Sequence, residues 1–143
     1  MKISTKGKYA LRLMLDLALN NSENPVRIKD VAKRQEISGK YLEQIISILN
    51  KAGFVRSVRG PQGGYFLTKK PEEYTVGMIL RLTEGDLAPT TCITDPSTCS
   101  RYENCPSVYV WKKIDDAVNN VIDNITIADL MDIQLSQNGD YVI

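Results

Sequence analysis

Apolar positions after Ser38 recur at helical spacing: Tyr41, Leu42, Ile45, Ile46 and Leu49 share one side, leaving Lys40, Glu43, Gln44, Ser47 and Lys51 on the others. This period predicts a helix that begins near Ser38 and is stopped by Gly53 soon after Lys51. Positions 54–59 (FVRSVR) then alternate as a strand does, 60–64 (GPQGG) turn the chain, and 65–67 (YFL) return. Upstream, 9–19 reads as a mostly buried helix ended by Asn20-Asn21-Ser22. A short helix over 28–35 buries Ile28, Val31 and Ala32, and Ser38 caps the helix that follows the turn. Residues 28–51 thus form a helix-turn-helix and 54–67 a wing beside it.

Downstream of the wing, Thr75 caps a helix over 76–82. Between 85 and 107 the period disappears under Asp, Pro, Thr, Ser and Asn. It returns at Val108, with Trp111, Ile114, Val118, Val121, Ile122 and Ile125 on one side and Lys112, Lys113, Asp115, Asp116, Asn119 and Asp123 on the other. A stripe of that length exceeds what a small winged module needs. Antiparallel pairing with the same helix of a second subunit would bury it, and packing back on its own domain is the alternative. Thr126 caps a short last helix over 127–131, and 134–143 reads as a loose tail. The fold class expected is mainly α with a small β wing: a winged helix-turn-helix DNA-binding domain (1–85), a cysteine-bearing loop (86–107), and a dimerisation helix with a short capping helix (108–133).

Charge sharpens the division. Residues 1–85 hold fifteen Lys/Arg against eight Asp/Glu, a net of +7, whereas 86–143 hold three against nine, a net of −6. The basic half is the half that contains the winged helix, as expected of a nucleic-acid-binding module joined to a different working part. The polar face of the 38–51 helix would enter a major groove while Arg56 and Arg59 of the wing reach a neighbouring backbone or minor groove. Lys6 and Lys8, ahead of the first helix, oppose its dipole and are better explained by phosphate contact.

Composition excludes several chemistries. Histidine is absent from the 143 residues, which removes every His-based triad and His metal ligand. The 60–64 glycines lack the Lys-Ser/Thr ending of a phosphate loop and open no helix, so an enzyme is not expected. No signal peptide or membrane span is visible, and a cytoplasmic location with reduced thiols follows. The three cysteines, Cys92, Cys99 and Cys105, crowd into the loop as C-x6-C-x5-C, which points to metal or redox chemistry rather than a disulfide framework.

The stretches KISTKGKYALRLMLDLAL, ISGKYLEQI, SVRGPQGGYFL and NITIADL are together similar to those of the Rrf-type, IscR-like family of bacterial transcription regulators, over nearly the whole chain to about residue 133. That resemblance implies a homodimeric winged-helix repressor or activator acting on a pseudo-palindromic promoter site in double-stranded DNA. It implies that Ser38, Lys40, Tyr41, Glu43 and Gln44 face the major groove, with Arg59 and Gly60 in the wing and Glu43 tuning the class of site accepted. A carboxylate there accepts from cytosine N4 and repels the acceptor edge of guanine. It further implies that Cys92, Cys99 and Cys105 hold a [2Fe-2S] cluster that senses cluster status or redox and nitrosative stress.

The chain departs from the IscR-like pattern in its fourth ligand, because Val108 stands where the family's histidine would be. Glu103 and Asp95 are candidates for that place, alongside a backbone or amide group, an outside thiol and solvent. Zinc on the three thiolates and a carboxylate is a further possibility. The alternative reading is a cluster-free, CymR-like repressor of cysteine and sulfur metabolism that senses thiol state or a partner protein of cluster assembly or sulfur metabolism.

Overall fold

The structure is a computed structural model that describes residues 2–139. Helix α1 (Thr5–Leu19) starts where Ser4 accepts a hydrogen bond from Gly7 N at 3.2 Å, and it buries Ala10, Leu13, Met14, Leu17 and Ala18. Helix α2 (Ile28–Gln35) adds Ile28 and Val31, and α3 (Gly39–Lys51) adds Leu42, Ile45, Ile46 and Leu49, so three amphipathic stripes close on one core. Between α2 and α3 the chain turns at Glu36, which takes a left-handed conformation with φ 55°.

Strands β1 (Val55–Val58) and β2 (Gly64–Leu67) pair antiparallel, Val55 opposite Leu67 and Val58 opposite Gly64. Val26 exchanges two backbone hydrogen bonds with Tyr65, of 3.0 and 2.8 Å, and so adds a one-residue third rung that fastens the wing to the segment before α2. The backbones approach so closely there that a side chain at Gly64 would strike the Val26 carbonyl. Among the described residues Tyr74 is the largest of the fully buried side chains. It sits under the wing with its hydroxyl donating to the Phe54 carbonyl at 2.7 Å.

Helix α4 (Val76–Glu84), capped by Thr75 on Met78 N at 3.1 Å, lies along α1. The expectation of an irregular loop from 86 to 107 is corrected in part: the segment contains the single turn α5 (Thr91–Thr94) and two turns of 3-10 helix, Pro96–Thr98 and Tyr102–Asn104. Asp and Thr side chains close these turns locally, as where Asp95 accepts from Ser97 N at 3.1 Å and from its hydroxyl at 2.6 Å.

Helix α6 (Ser107–Ile122) is followed by α7 (Ile127–Gly139). The expected short helix over 127–131 therefore continues to 139, through positions 134–139 that were expected to be a loose tail; 140–143 lie outside the described residues. Reciprocal bonds between Thr126 and Asp129 (2.9 and 3.1 Å) start α7, Ile127 is wholly buried, and Leu130 and Met131 lean on the main core. Among the described residues no helix is long and apolar enough to cross a membrane.

The broad apolar side expected of the 108–125 region is divided in the fold. Val108 and Ile122 are buried, and Val118 and Ile125 pack with Val76, Leu80 and Leu87 of the chain itself. A neighbouring strip of α6 stays open, with Val110 47%, Ile114 37% and Val121 55% exposed. Arg81 of α4 locks the packed side, donating to both carboxylate oxygens of Asp123 at 2.6 and 2.9 Å and to Asn119 at 2.9 Å.

Candidate nucleic-acid interface and cysteine segment

Lys40, Glu43, Gln44, Ser47 and Lys51 stand at i, i+3, i+4, i+7 and i+11 along α3, opposite the buried Leu42, Ile45, Ile46 and Leu49, and all five are exposed. Ser38 is exposed too, but its hydroxyl is occupied as the cap, accepting from Tyr41 N at 3.3 Å. Lys51 lies in the last turn, about 16 Å along the axis from Lys40, where it also complements the negative end of the helix.

Tyr41 is placed differently from the rest of this set. It flanks the outward face, half-buried, with its ring edge-on to Tyr9 of α1 at 5.7 Å between centroids. Its ring thus packs α3 against α1 as well as bordering the outward face.

In the wing, Arg56 lies over the Phe66 ring at 4.5 Å, which holds its guanidinium close to the sheet. Arg59 and Gly60 are exposed at the tip, where Gly60 adopts φ 108° and its carbonyl accepts from Gly63 N at 2.9 Å. Neither of the two salt bridges recorded among the described residues uses Lys40, Arg56 or Arg59.

A supporting layer behind this face was not legible as such in the chain. Asp16, 2% exposed, accepts from Arg34 at 2.7 and 3.1 Å and from Gln35 at 2.9 Å, tying α1 to the end of α2. A buried carboxylate requires such a fork, and the Asp16 hydrogen bond holds the Arg34 guanidinium above its ordinary pKa. Arg12 reaches the same turn from α1, donating to the side chain of Gln35 at 3.1 Å and to its carbonyl, with its guanidinium 5.4 Å from the Tyr9 ring centre. A charged Asp16 within an apolar helix face was the one visible signal of this layer.

The three cysteines are spread along the 86–107 segment. Cys92, half-buried in α5, has its sulfur 3.0 Å from the Thr90 hydroxyl, Cys99 is exposed, and Cys105 is half-buried just before α6. Cys99 and Glu103 line one shallow pocket with Tyr102, which Cys92 and Cys105 do not share. Asp95 is engaged in its own turn, where its bonds to Ser97 keep the carboxyl below its ordinary pKa. Val108 faces inward at 7% exposure. Among the described residues no three His, Cys, Asp or Glu side chains come together as a metal would require.

Thiolates are the usual ligands of iron-sulfur clusters, so the donor types fit such a group. The described arrangement does not gather them into a group of three.

Comparison with known proteins gives the context. The family model Rrf2, described as "Iron-dependent Transcriptional regulator", matches residues 3–133. The HTH-type transcriptional regulator CymR of Bacillus subtilis is 41% identical over 130 residues, covering 91% of this chain and 89% of the relative. IscR of Aliivibrio salmonicida is 40% identical over 131 residues, 92% of this chain and 77% of the relative. The solved structure of CymR, described as the global cysteine regulator of B. subtilis, superposes with a TM-score of 0.78 at 38% identity, covering 93% of this chain and 98% of that one. These relatives are regulators rather than enzymes, and both the IscR and CymR kinds are among them. A winged helix-turn-helix and a family match over almost its whole length identify the chain as a member of the Rrf2 family of transcriptional regulators.

Proposed function

We propose that this protein binds pseudo-palindromic promoter DNA as a homodimer and takes its signal through the cysteine segment. The observation that carries the DNA reading is the outward row of α3, Lys40, Glu43, Gln44 and Ser47, beside a wing whose Arg59 has no acidic partner among the described residues. In this reading α3 meets base edges in the major groove and Arg59 enters the adjoining minor groove. Selection of a duplex from a random pool, followed by anisotropy titration, tests it. Recovery of no preferred sequence would refute it.

The dimer rests on the open strip of α6. Val110, Ile114, Ala117 and Val121 follow one another at intervals of four, three and four, the spacing of a coiled-coil seam, on a helix about 24 Å long. A second copy of the same helix, related by a twofold axis, matches that strip. Ile114→Glu together with Val121→Glu should yield a single-chain mass in sedimentation. These positions spare Val118 and Ile122, which hold α6 to its own domain.

For the signal, the three thiols and the likeness to IscR support a [2Fe-2S] cluster held by Cys92, Cys99 and Cys105, a one-electron redox centre when bound. A cluster-free thiol or partner sensor is favoured by a separate observation, the inward-facing apolar Val108 at the place of the expected histidine, together with the likeness to CymR. Anaerobic purification with iron, sulfide and zinc analysis separates the two. Stoichiometric iron and sulfide lost in each Cys→Ser variant supports the cluster, and none in the parent supports the free-thiol sensor.

A further inference from the structure

The cysteine segment and the N-terminal end of α1 are distant in sequence but joined by short steps in the fold. Cys92 lies in α5, whose last residue, Thr94, donates its hydroxyl to Asp86 Oδ2. Asp86 Oδ1 accepts from Ala88 N at 2.8 Å, so the segment is folded back on its own first residues. The preceding residue, Gly85, has φ 75°, and a side chain there would meet nothing within 4 Å. Glycine is therefore required by the backbone and not by space.

Next to it stands Glu84, the last residue of α4. Its Oε1 accepts from Ser4 N at 2.9 Å and from the Ser4 hydroxyl at 2.6 Å, while that hydroxyl caps α1 through Gly7 N. Gly7 is buried beneath this contact, since a Cβ there would collide with the Glu84 carboxylate. The first turn of α1 has no acidic residue of its own, and exposed Lys6 and Lys8 flank Gly7. Glu84 thus brings to the positive end of α1 the negative charge that its own sequence lacks.

We infer that Glu84 is a positioning residue for DNA binding: it sets the start of α1 so that Lys6 and Lys8 meet phosphate. Through Gly85 and the Asp86–Thr94 bond, that setting answers to the condition of the turn that carries Cys92. The inference rests on the DNA-binding reading above and assigns the path by which the segment reaches the DNA-facing half. An energetic path of this kind is established by coupling between its members, not by adjacency.

The experiment combines a double-mutant cycle with amide exchange. Glu84→Ala should weaken the selected duplex roughly tenfold at low salt, the loss of a charge-assisted contact. The slope of log K against log salt should become shallower by about one to two, because each lysine withdrawn from a phosphate removes about 0.9. Glu84→Gln keeps an acceptor for both Ser4 donors and should recover affinity to within roughly threefold. Thr94→Val should weaken binding in the same sense, yet add nothing further to Glu84→Ala.

A parental salt slope in Glu84→Ala, or losses that simply add, would overturn the inference. If Glu84→Ala does not fold, Glu84→Asp, which shortens the reach to both Ser4 donors and leaves the Ser4 cap on Gly7 in place, reports the same contact. If the parent selects no duplex, the DNA-binding reading fails and amide exchange judges the relay alone. Faster exchange at Gly7 in both Glu84→Ala and Thr94→Val upholds it, and unchanged exchange in Thr94→Val refutes it.

Discussion

Replacing Tyr74 by Phe removes one oxygen from beneath the wing and leaves the packing of the ring, including its edge-on contact with Phe54 at 5.8 Å between centroids. Proton accounting sets the magnitude. The Tyr74 hydroxyl donates its single proton to Phe54 O at 2.7 Å and accepts from Thr68 N at 3.1 Å and Lys69 N at 3.0 Å. Thr68 Oγ1 lies 3.1 Å from it as well, but that hydroxyl already donates to Gly53 O at 2.7 Å, so no proton remains for the Thr68–Tyr74 pair. After the change, Thr68 N retains a bond to Phe54 O at 3.3 Å, whereas no other backbone partner is recorded for Lys69 N.

The cost is then one amide left without a protein partner plus a weakened carbonyl, about 2 kcal/mol. Tyr74→Ala adds the cavity and should cost about 3–5 kcal/mol. Urea unfolding at fixed protomer concentration measures both, and a 2 kcal/mol loss should lower the midpoint by about 1 M with the m-value unchanged. Because the bonds join the residue before β1 to the residues after β2, exchange of the Thr68 and Lys69 amides should quicken as well. A Tyr74→Phe unfolding free energy within about 0.5 kcal/mol of the parent would refute the accounting.

Glu43→Ala should relax preference at one base pair by about 1–3 kcal/mol with the salt slope nearly unchanged, which selection from a random pool would reveal. Arg59→Ala should weaken specific and random duplexes alike and reduce the salt slope by about 1, measured by anisotropy across a salt series. The bond from Arg81 holds the Asp123 carboxyl below its ordinary value near 3.8. The stability it lends to the α4–α6 clasp is therefore full above that ordinary value and lost as pH falls through the lower folded value. Urea midpoints taken down through that window should decline less in Asp123→Asn than in the parent.

Much of this molecule is written in short-range patterns. The 3.6-residue period of α1, α3 and α6, the alternation at 55–58, the turn chemistry of 60–64 and the cap at Ser38 are local, because each rests on residues within one or two turns of each other. The outward row of α3 followed from the same period, as did the separation of a basic half from an acidic one. The continuation of α7 to 139 escaped the pattern because that helix has little amphipathic contrast of its own and is held by the core under Ile127, Leu130 and Met131.

Contacts between distant residues had no such signature. Asp16 finds Arg34, Ser4 finds Glu84 and Arg81 finds Asp123 only after the helices have packed, and a charge in a chain does not say which opposite charge it will meet. The division of the α6 stripe into a packed strip and an open one likewise depends on where α4 lies against it. Three cysteines within one short segment are a fact of the chain. Whether their sulfurs converge is decided by the turns between them, and in this fold Asp95 closes the turn at Ser97 on itself while the described residues form no group of three metal-ligating side chains.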